Sequence, residues 1–225
     1  MEDNLRVESS PHLHSRKTTR AAMWAVVVAL VPSGIAGAYL FGVDAVLVIA
    51  VSIASCVITE AVIQKLTGKK ISIHDGSAVL TGLLLAYNLS PTVPLWMPAV
   101  GGAFAIAIVK QAFGGLGMNI FNPALAARAF LMASWPKQMT SFTAPFSPDA
   151  VTSATPLMIL KEGKVSQFAE LGLSYWDMFV GKRGGCIGEV CILALCIGIV
   201  YLFWRRIIWW QTPLTFILTV GGLSW

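Results

Sequence analysis

Of 225 residues, 56% are hydrophobic and 12% charged, with a mean hydropathy of +0.72, against a charged share of about 25% in soluble domains; this excludes an ordinary water-soluble enzyme. The net charge of +5 does not describe a nucleic-acid surface, because Lys and Arg sit beside the ends of apolar blocks instead of in one stripe. Cys56, Cys186, Cys191 and Cys196 lie in or next to apolar blocks with no C-x-x-C pair, which argues against a zinc or cluster site.

Residues 1–20 are polar and precede an apolar block of full spanning length, so that block reads as a retained helix and not as a cleavable signal. Apolar blocks near the roughly 20 residues needed to cross a bilayer predict spans at 21–41, 44–64, 77–90, 95–112, 120–135 and 186–204, with a seventh opening near 212. Basic residues mark alternate ends: Arg16, Lys17 and Arg20, then Lys65, Lys69 and Lys70, then Lys110, then Arg205 and Arg206. The positive-inside rule makes those ends cytoplasmic and puts residues 137–185 outside, although Lys161, Lys164, Lys182 and Arg183 in that loop pull the other way.

The third and fifth spans are short and carry Asn88-Leu89-Ser90-Pro91 and Asn119-Ile120-Phe121-Asn122-Pro123, backbone that a bilayer tolerates only inside protein or beside a cavity. The expected fold is an all-α polytopic membrane protein, a transporter-like bundle of short or broken helices with an internal repeat. The apolar stretch after Pro213 is too short at Trp225 for a full span, so the C-terminal part of that repeat is expected to be missing.

Several residues invite a chemical reading. Arg128 lies in the apolar run 124–131, where a charge costs roughly 3 kcal/mol or more unless it faces protein, water or an anion; its bland alternative is a pair with Glu189 or with helix-end carbonyls. Glu60, one turn before Lys65, is expected to snorkel with it to the interface. Glu189 is expected at the positive end of the sixth span. His74-Asp75 reads as a loop or cap, since no nucleophile accompanies it. Trp204, Trp209 and Trp210 beside Arg205 and Arg206 read as an interfacial anchor. Phe113-Gly114-Gly115-Leu116-Gly117-Met118 lacks the G-x-G-x-x-G spacing, so a turn is expected and not a dinucleotide loop.

The segment Asp149-Ala150-Val151-Thr152-Ser153-Ala154-Thr155-Pro156-Leu157 is, on local chemistry alone, a polar turn with Thr155 as an N-cap and Pro156 as a first helical residue. Its Asp-x-x-Thr-x-Ala-Thr pattern resembles the covalent-flavin acceptor signature of the RnfD/NqrB family. The same resemblance is carried by Ser10-Pro11-His12, by the run from Asp75-Gly76-Ser77 to Ala86, by Asn119 to Ala124 and by Gly185-Cys186-Ile187-Gly188-Glu189. Ser153 and Cys186 stand where family members often have glycine and serine.

The resemblance, closest to the RnfD branch, implies a membrane component of an ion-translocating ferredoxin:NAD oxidoreductase of the bacterial inner membrane. It implies FMN joined through its phosphate to Thr155 by a flavin transferase, with Asp149, Thr152, Ser153 and Ala154 as the recognised surroundings and Arg128 facing a flavin cavity. A further noncovalent riboflavin or other flavin is allowed for. The implied partners are other Rnf membrane and peripheral subunits, the transferase during maturation and membrane lipid; NAD and ferredoxin sites are expected on other chains. An NqrB-like component of a sodium-pumping NADH:quinone reductase is the alternative within the family, and a solute channel or permease without a redox cofactor the alternative outside it.

Overall fold

The computed structural model describes residues 18–69, 71–143, 145 and 175–224. The regular structure among them is helical. Two helices are long and apolar enough to cross a membrane, α1 (Thr19–Phe41) and α2 (Val43–Leu66). They meet at Gly42, whose φ of +69° closes the turn in a region that favours glycine. Thr18 caps α1 by accepting from Ala21 N–H.

After a short 3-10 turn at Ile73–Asp75 come α3 (Ser77–Tyr87) and α4 (Trp96–Phe104). α4 runs on without interruption into a π-helical segment, Ala105–Gln111. α5 (Pro123–Ser134) starts at Asn122, whose side-chain oxygen accepts from the Ala124 and Leu125 N–H groups, with Pro123 at the first helical position. The short α6 (Pro136–Met139) and α7 (Tyr175–Val180) follow, then α8 (Ile192–Trp204) and α9 (Gln211–Ser224).

α2 packs against α3, α4 and the π segment, while α1 lies on α3 and α8. Close approach of α2 and α3 depends on a missing side chain: a Cβ on Gly82 would stand 2.7 Å from the Ile53 Cα. Ser52 fastens the same spot by donating its hydroxyl to the Gly82 carbonyl at 2.8 Å. The core is small and dense, built on Val48, Leu85, Leu89, Met97 and Leu131, whereas Ile35, Ile58, Val62 and Val200 point outward from their helices, as expected for surfaces that meet lipid or other membrane chains.

The sixth span differs from expectation. Its helix begins at Ile192 and not near residue 186, because residues 184–191 are not helical. This stretch instead pairs with the break after α3: Ile187 N–H donates to the Leu89 carbonyl at 3.0 Å and Gly188 N–H to the Tyr87 carbonyl at 3.1 Å. Ser33 of α1 donates to the Gly188 carbonyl at 2.8 Å, and Tyr87 Oη donates to the Leu30 carbonyl at 2.7 Å. A side chain at position 188 would collide with Tyr87 Cβ. The two irregular segments thus satisfy each other's backbone inside the protein, which is what irregular backbone at membrane depth requires.

Candidate functional site

α2 presents Ser52, Cys56, Glu60 and Gln64 along its buried face, four residues apart, a polar stripe on one side of an otherwise apolar helix. Ser52 and Cys56 bond the backbone of their neighbours, the latter through Sγ to the Gly102 carbonyl at 3.7 Å. Glu60 and Gln64 do something different. The Glu60 carboxylate, 1% exposed, accepts from Lys110 Nζ at both oxygens, 2.8 and 2.9 Å. Its Oε1 also accepts from Gln64 Nε2 at 3.1 Å and Gln111 Nε2 at 2.9 Å.

The expectation that Glu60 snorkels beside Lys65 is therefore wrong, and so is the reading of Lys110 as an aqueous flank: Lys110 is 2% exposed. Glu60 turns inward because the ammonium across the helix interface compensates its charge more fully than a screened surface partner would. The π segment makes the double contact possible. Consecutive residues of an α-helix project about 100° apart, and the wider π turn brings both Lys110 and Gln111 onto one carboxylate oxygen. Short π-helical segments within α-helices are frequent at functional sites.

The pair is wired outward in two directions. Lys110 Nζ donates to Ser77 Oγ at 2.6 Å, and Ser77 Oγ donates to Asp75 Oδ1 at 2.6 Å. Asp75 also accepts from Ser77 N–H, so His74-Asp75 sits in the turn that leads into α3, in keeping with a loop or cap. On the other side Gln64 Nε2 donates to Ser72 Oγ at 2.8 Å, and Ser72 N–H returns a bond to Gln64 Oε1. Ser72 is exposed and Asp75 half-buried, so the network runs from the surface loop to the buried charges.

A cleft of about 460 Å³ opens beside it, lined among others by Ser77, Thr81, Lys110, Asn119, Asn122 and Pro123. Two stretches that carry the family resemblance, the one from Asp75 and the one from Asn119, thus meet at one place. Gly114, Gly115 and Gly117 between them all have positive φ, which makes the Phe113–Met118 run a glycine-dependent turn as expected.

Arg128 is half-buried in α5 and donates from Nη1 to Asn88 Oδ1 at 2.7 Å. Asn88 at the C-terminal end of α3 in turn donates from Nδ2 to the Leu84 carbonyl. The alternative of an Arg128–Glu189 pair is not what forms. Glu189 sits exposed in the turn before α8, not in its first helical turn, and accepts from Cys186 N–H at 3.2 Å. Asp149, Thr152, Ser153, Ala154 and Thr155 lie outside the described residues, as do Ser10-Pro11-His12.

A sequence model of the NQR2, RnfD, RnfE family matches residues 6–225. The chain belongs to that family. Within it, the chain is 50% identical over 220 residues to the D component of the Na(+)-translocating ferredoxin:NAD(+) oxidoreductase complex of Acetobacterium woodii, covering 97% of this chain and 68% of that one. It is 45% identical over 225 residues, at the same coverage, to the D component of the proton-translocating ferredoxin:NAD(+) oxidoreductase complex of Clostridium ljungdahlii. It is 33% identical over 258 residues to the D component of an ion-translocating oxidoreductase complex of Yersinia enterocolitica, 98% and 73% covered. Membership in the NQR2, RnfD, RnfE family and the two long apolar helices agree on a membrane protein.

Proposed function

We propose that the chain is the flavin-bearing RnfD component of an Rnf-type complex in the bacterial inner membrane, passing electrons between reduced ferredoxin and NAD in step with Na+ or H+ movement. The observation that carries this reading is the Glu60–Lys110 pair, two opposite charges buried within the membrane part of a chain whose relatives are named for ion translocation. Buried ionisable groups at this depth are costly, and a solute pathway alone gives no reason for relatives at 50% and 45% identity to be named as parts of oxidoreductase complexes.

FMN held through its phosphate on the Thr155 hydroxyl supplies one- and two-electron carriage. The chain's own part is to hold that carrier outside the bilayer and to keep Arg128 oriented through Asn88 on the inward side. A second, noncovalent flavin would find side-chain amides from Asn119 and Asn122 in the cleft, whose volume suits a small ligand. Partner membrane subunits would supply the ferredoxin and NAD sites, and a flavin transferase would load Thr155.

The reading is tested on the purified complex in liposomes: adding reduced ferredoxin and NAD should build a cation gradient, and this chain should fluoresce as a flavoprotein in a denaturing gel. A non-fluorescent chain in an active complex would remove the covalent flavin from the proposal. Residues 137–185 should lie outside the cytoplasm. A cysteine placed at Gly163 in a background without the native cysteines should react with an impermeant maleimide in intact cells, and reaction only after the cells are opened would invert the topology.

Arg128→Leu should leave the Asn88 amide oxygen without its charged donor and impair assembly or electron transfer, at a cost of about 1.5–3 kcal/mol for a bond to a charged group. Arg128→Lys keeps charge without the planar fork and should fall between. Wild-type flavin content and turnover in Arg128→Leu would show that the residue serves neither.

A further inference from the structure

We infer that the turn between α8 and α9 is a binding site for one anionic diacyl phospholipid, with its phosphate on Arg205 and Arg206 and its two chains in the furrows that flank Trp209. The inference goes beyond the electron-transfer reading and does not rest on it.

The height of the turn follows from the packing of α8 on α1. The Gly188 carbonyl accepts from Ser33, and a Cβ on Gly198 would collide with the Ala29 carbonyl oxygen, so α8 runs toward the start of α1. At about 1.5 Å per residue, Arg205 comes level with the first turn of α1, at the end of a helix long enough to span. The exposed Trp204, Trp209 and Trp210 fit that level, where amphipathic rings meet lipid headgroups.

Two furrows meet at the turn. One, of about 520 Å³, is lined by Phe203, Arg206 and Trp210; the other, of about 600 Å³, has Phe216 in its wall. Ile208 and Trp209 line both, so Trp209 stands between two apolar channels. A ligand with one chain needs a single channel. A diacyl lipid needs two side by side with an anion-binding group at the mouth, and here Arg206 lines the first channel while Arg205 adjoins it, both exposed.

Arg206 is also held in strained backbone. Its φ is +52°, alone among the described non-glycine residues. The Ile207 N–H donates to the Leu202 carbonyl at 3.1 Å, a helix closure that usually places glycine where Arg206 stands. The helix dipole favours a cation here, but Arg205 one residue earlier already supplies it. A second guanidinium kept at this position against its backbone preference points to an anion outside the helix, and planar guanidinium forks suit phosphate oxygens. A zwitterionic lipid offers the same chains, but its own ammonium competes for its phosphate.

The test uses the whole complex in vesicles of dioleoylphosphatidylcholine with a minor share of dioleoylphosphatidylglycerol, two lipids with identical chains. A photoreactive benzophenone side chain in place of Trp210 captures what lies in the first furrow, and mass spectrometry of that peptide identifies it. Phosphatidylglycerol should be captured over phosphatidylcholine roughly 25-fold more than its share of the vesicle predicts, about fivefold for each arginine. The same group in place of Val200, on the outward face of α8, should report the bulk ratio. Arg205→Gln and Arg206→Asn should each cut the preference about fivefold and together abolish it; asparagine tolerates the positive φ. A bulk ratio at position 210 with both arginines present overturns the inference, as does a preference that survives their loss. Capture of protein instead of lipid means that a partner chain or another part of this chain fills the furrow, which overturns it too. The ratios are read on resting complex, so they are independent of whether the flavin reading holds.

Discussion

Thr155→Ala should yield a complex with no flavin bound covalently to this chain: no fluorescent band in a denaturing gel and no FMN-sized adduct on the peptide that contains residue 155. The expectation follows from chemistry as well as from the family likeness. A phosphodiester needs a hydroxyl, alanine has none, and the change from 1-hydroxyethyl to methyl adds no charge and no bulk. Electron transfer through the complex should drop to background because a redox chain does not bypass a missing carrier, while assembly of the membrane subunits should be preserved. Thr155→Ser keeps a hydroxyl and should retain some adduct. An adduct that persists in Thr155→Ala would move the attachment to Thr152 or elsewhere, and mass spectrometry of the digested chain would locate it.

Glu60→Leu should destabilise the assembled protein by about 3–5 kcal/mol, because it strands the Lys110 ammonium in a buried position. The loss should exceed that of most single substitutions, which centre near 1 kcal/mol. Adding Lys110→Met to Glu60→Leu removes the stranded charge and should restore most of the stability, since a buried ion pair and a well-packed apolar pair of similar volume differ little. Thermal unfolding of the four corners of this cycle isolates the coupling between the two side chains. If the double variant is as unstable as Glu60→Leu, packing and not charge dominates at this position.

Much of the helical plan was legible from local pattern. The α1 and α2 spans announce themselves by length and apolarity, and Asn122-Pro123 marks the start of α5 by a cap followed by a first-turn proline. The shortness of α3 could be read from Asn88-Leu89-Ser90-Pro91, where polar and helix-breaking residues interrupt an apolar run. The late start of α8 was missed, although Gly185 and Gly188 around Cys186 and Ile187 carried the signal: glycine interrupts helices and permits close backbone approach.

The ion pair was not legible, because 50 residues separate its partners and each has a nearer, more ordinary explanation, Lys65 for Glu60 and a helix-end flank for Lys110. One clue existed in Ser52, Cys56, Glu60 and Gln64, whose four-residue spacing puts all of them on a single face of α2; a polar stripe in a spanning helix points to protein and not to water. The π geometry of Ala-Ile-Ala-Ile-Val-Lys-Gln leaves no mark in residue types that suit an α-helix equally well. It goes together with the contacts that Lys110 and Gln111 make with α2, and those belong to the folded state.

The rungs between the break after α3 and the segment before α8 set an order for how this protein can be made. The carbonyls of Tyr87 and Leu89 receive their partners from Gly188 and Ile187, roughly 100 residues later in the chain, which at about 5–20 residues per second means a wait of about 5–20 s during synthesis. Until then α3 enters the bilayer with an unclosed end whose bare carbonyls lipid cannot satisfy. The first half of the protein must therefore be sheltered by water, by an insertase or by a partner chain while the ribosome finishes the second half, and a nascent chain stalled before residue 187 should be found bound to the insertion machinery and not released into lipid.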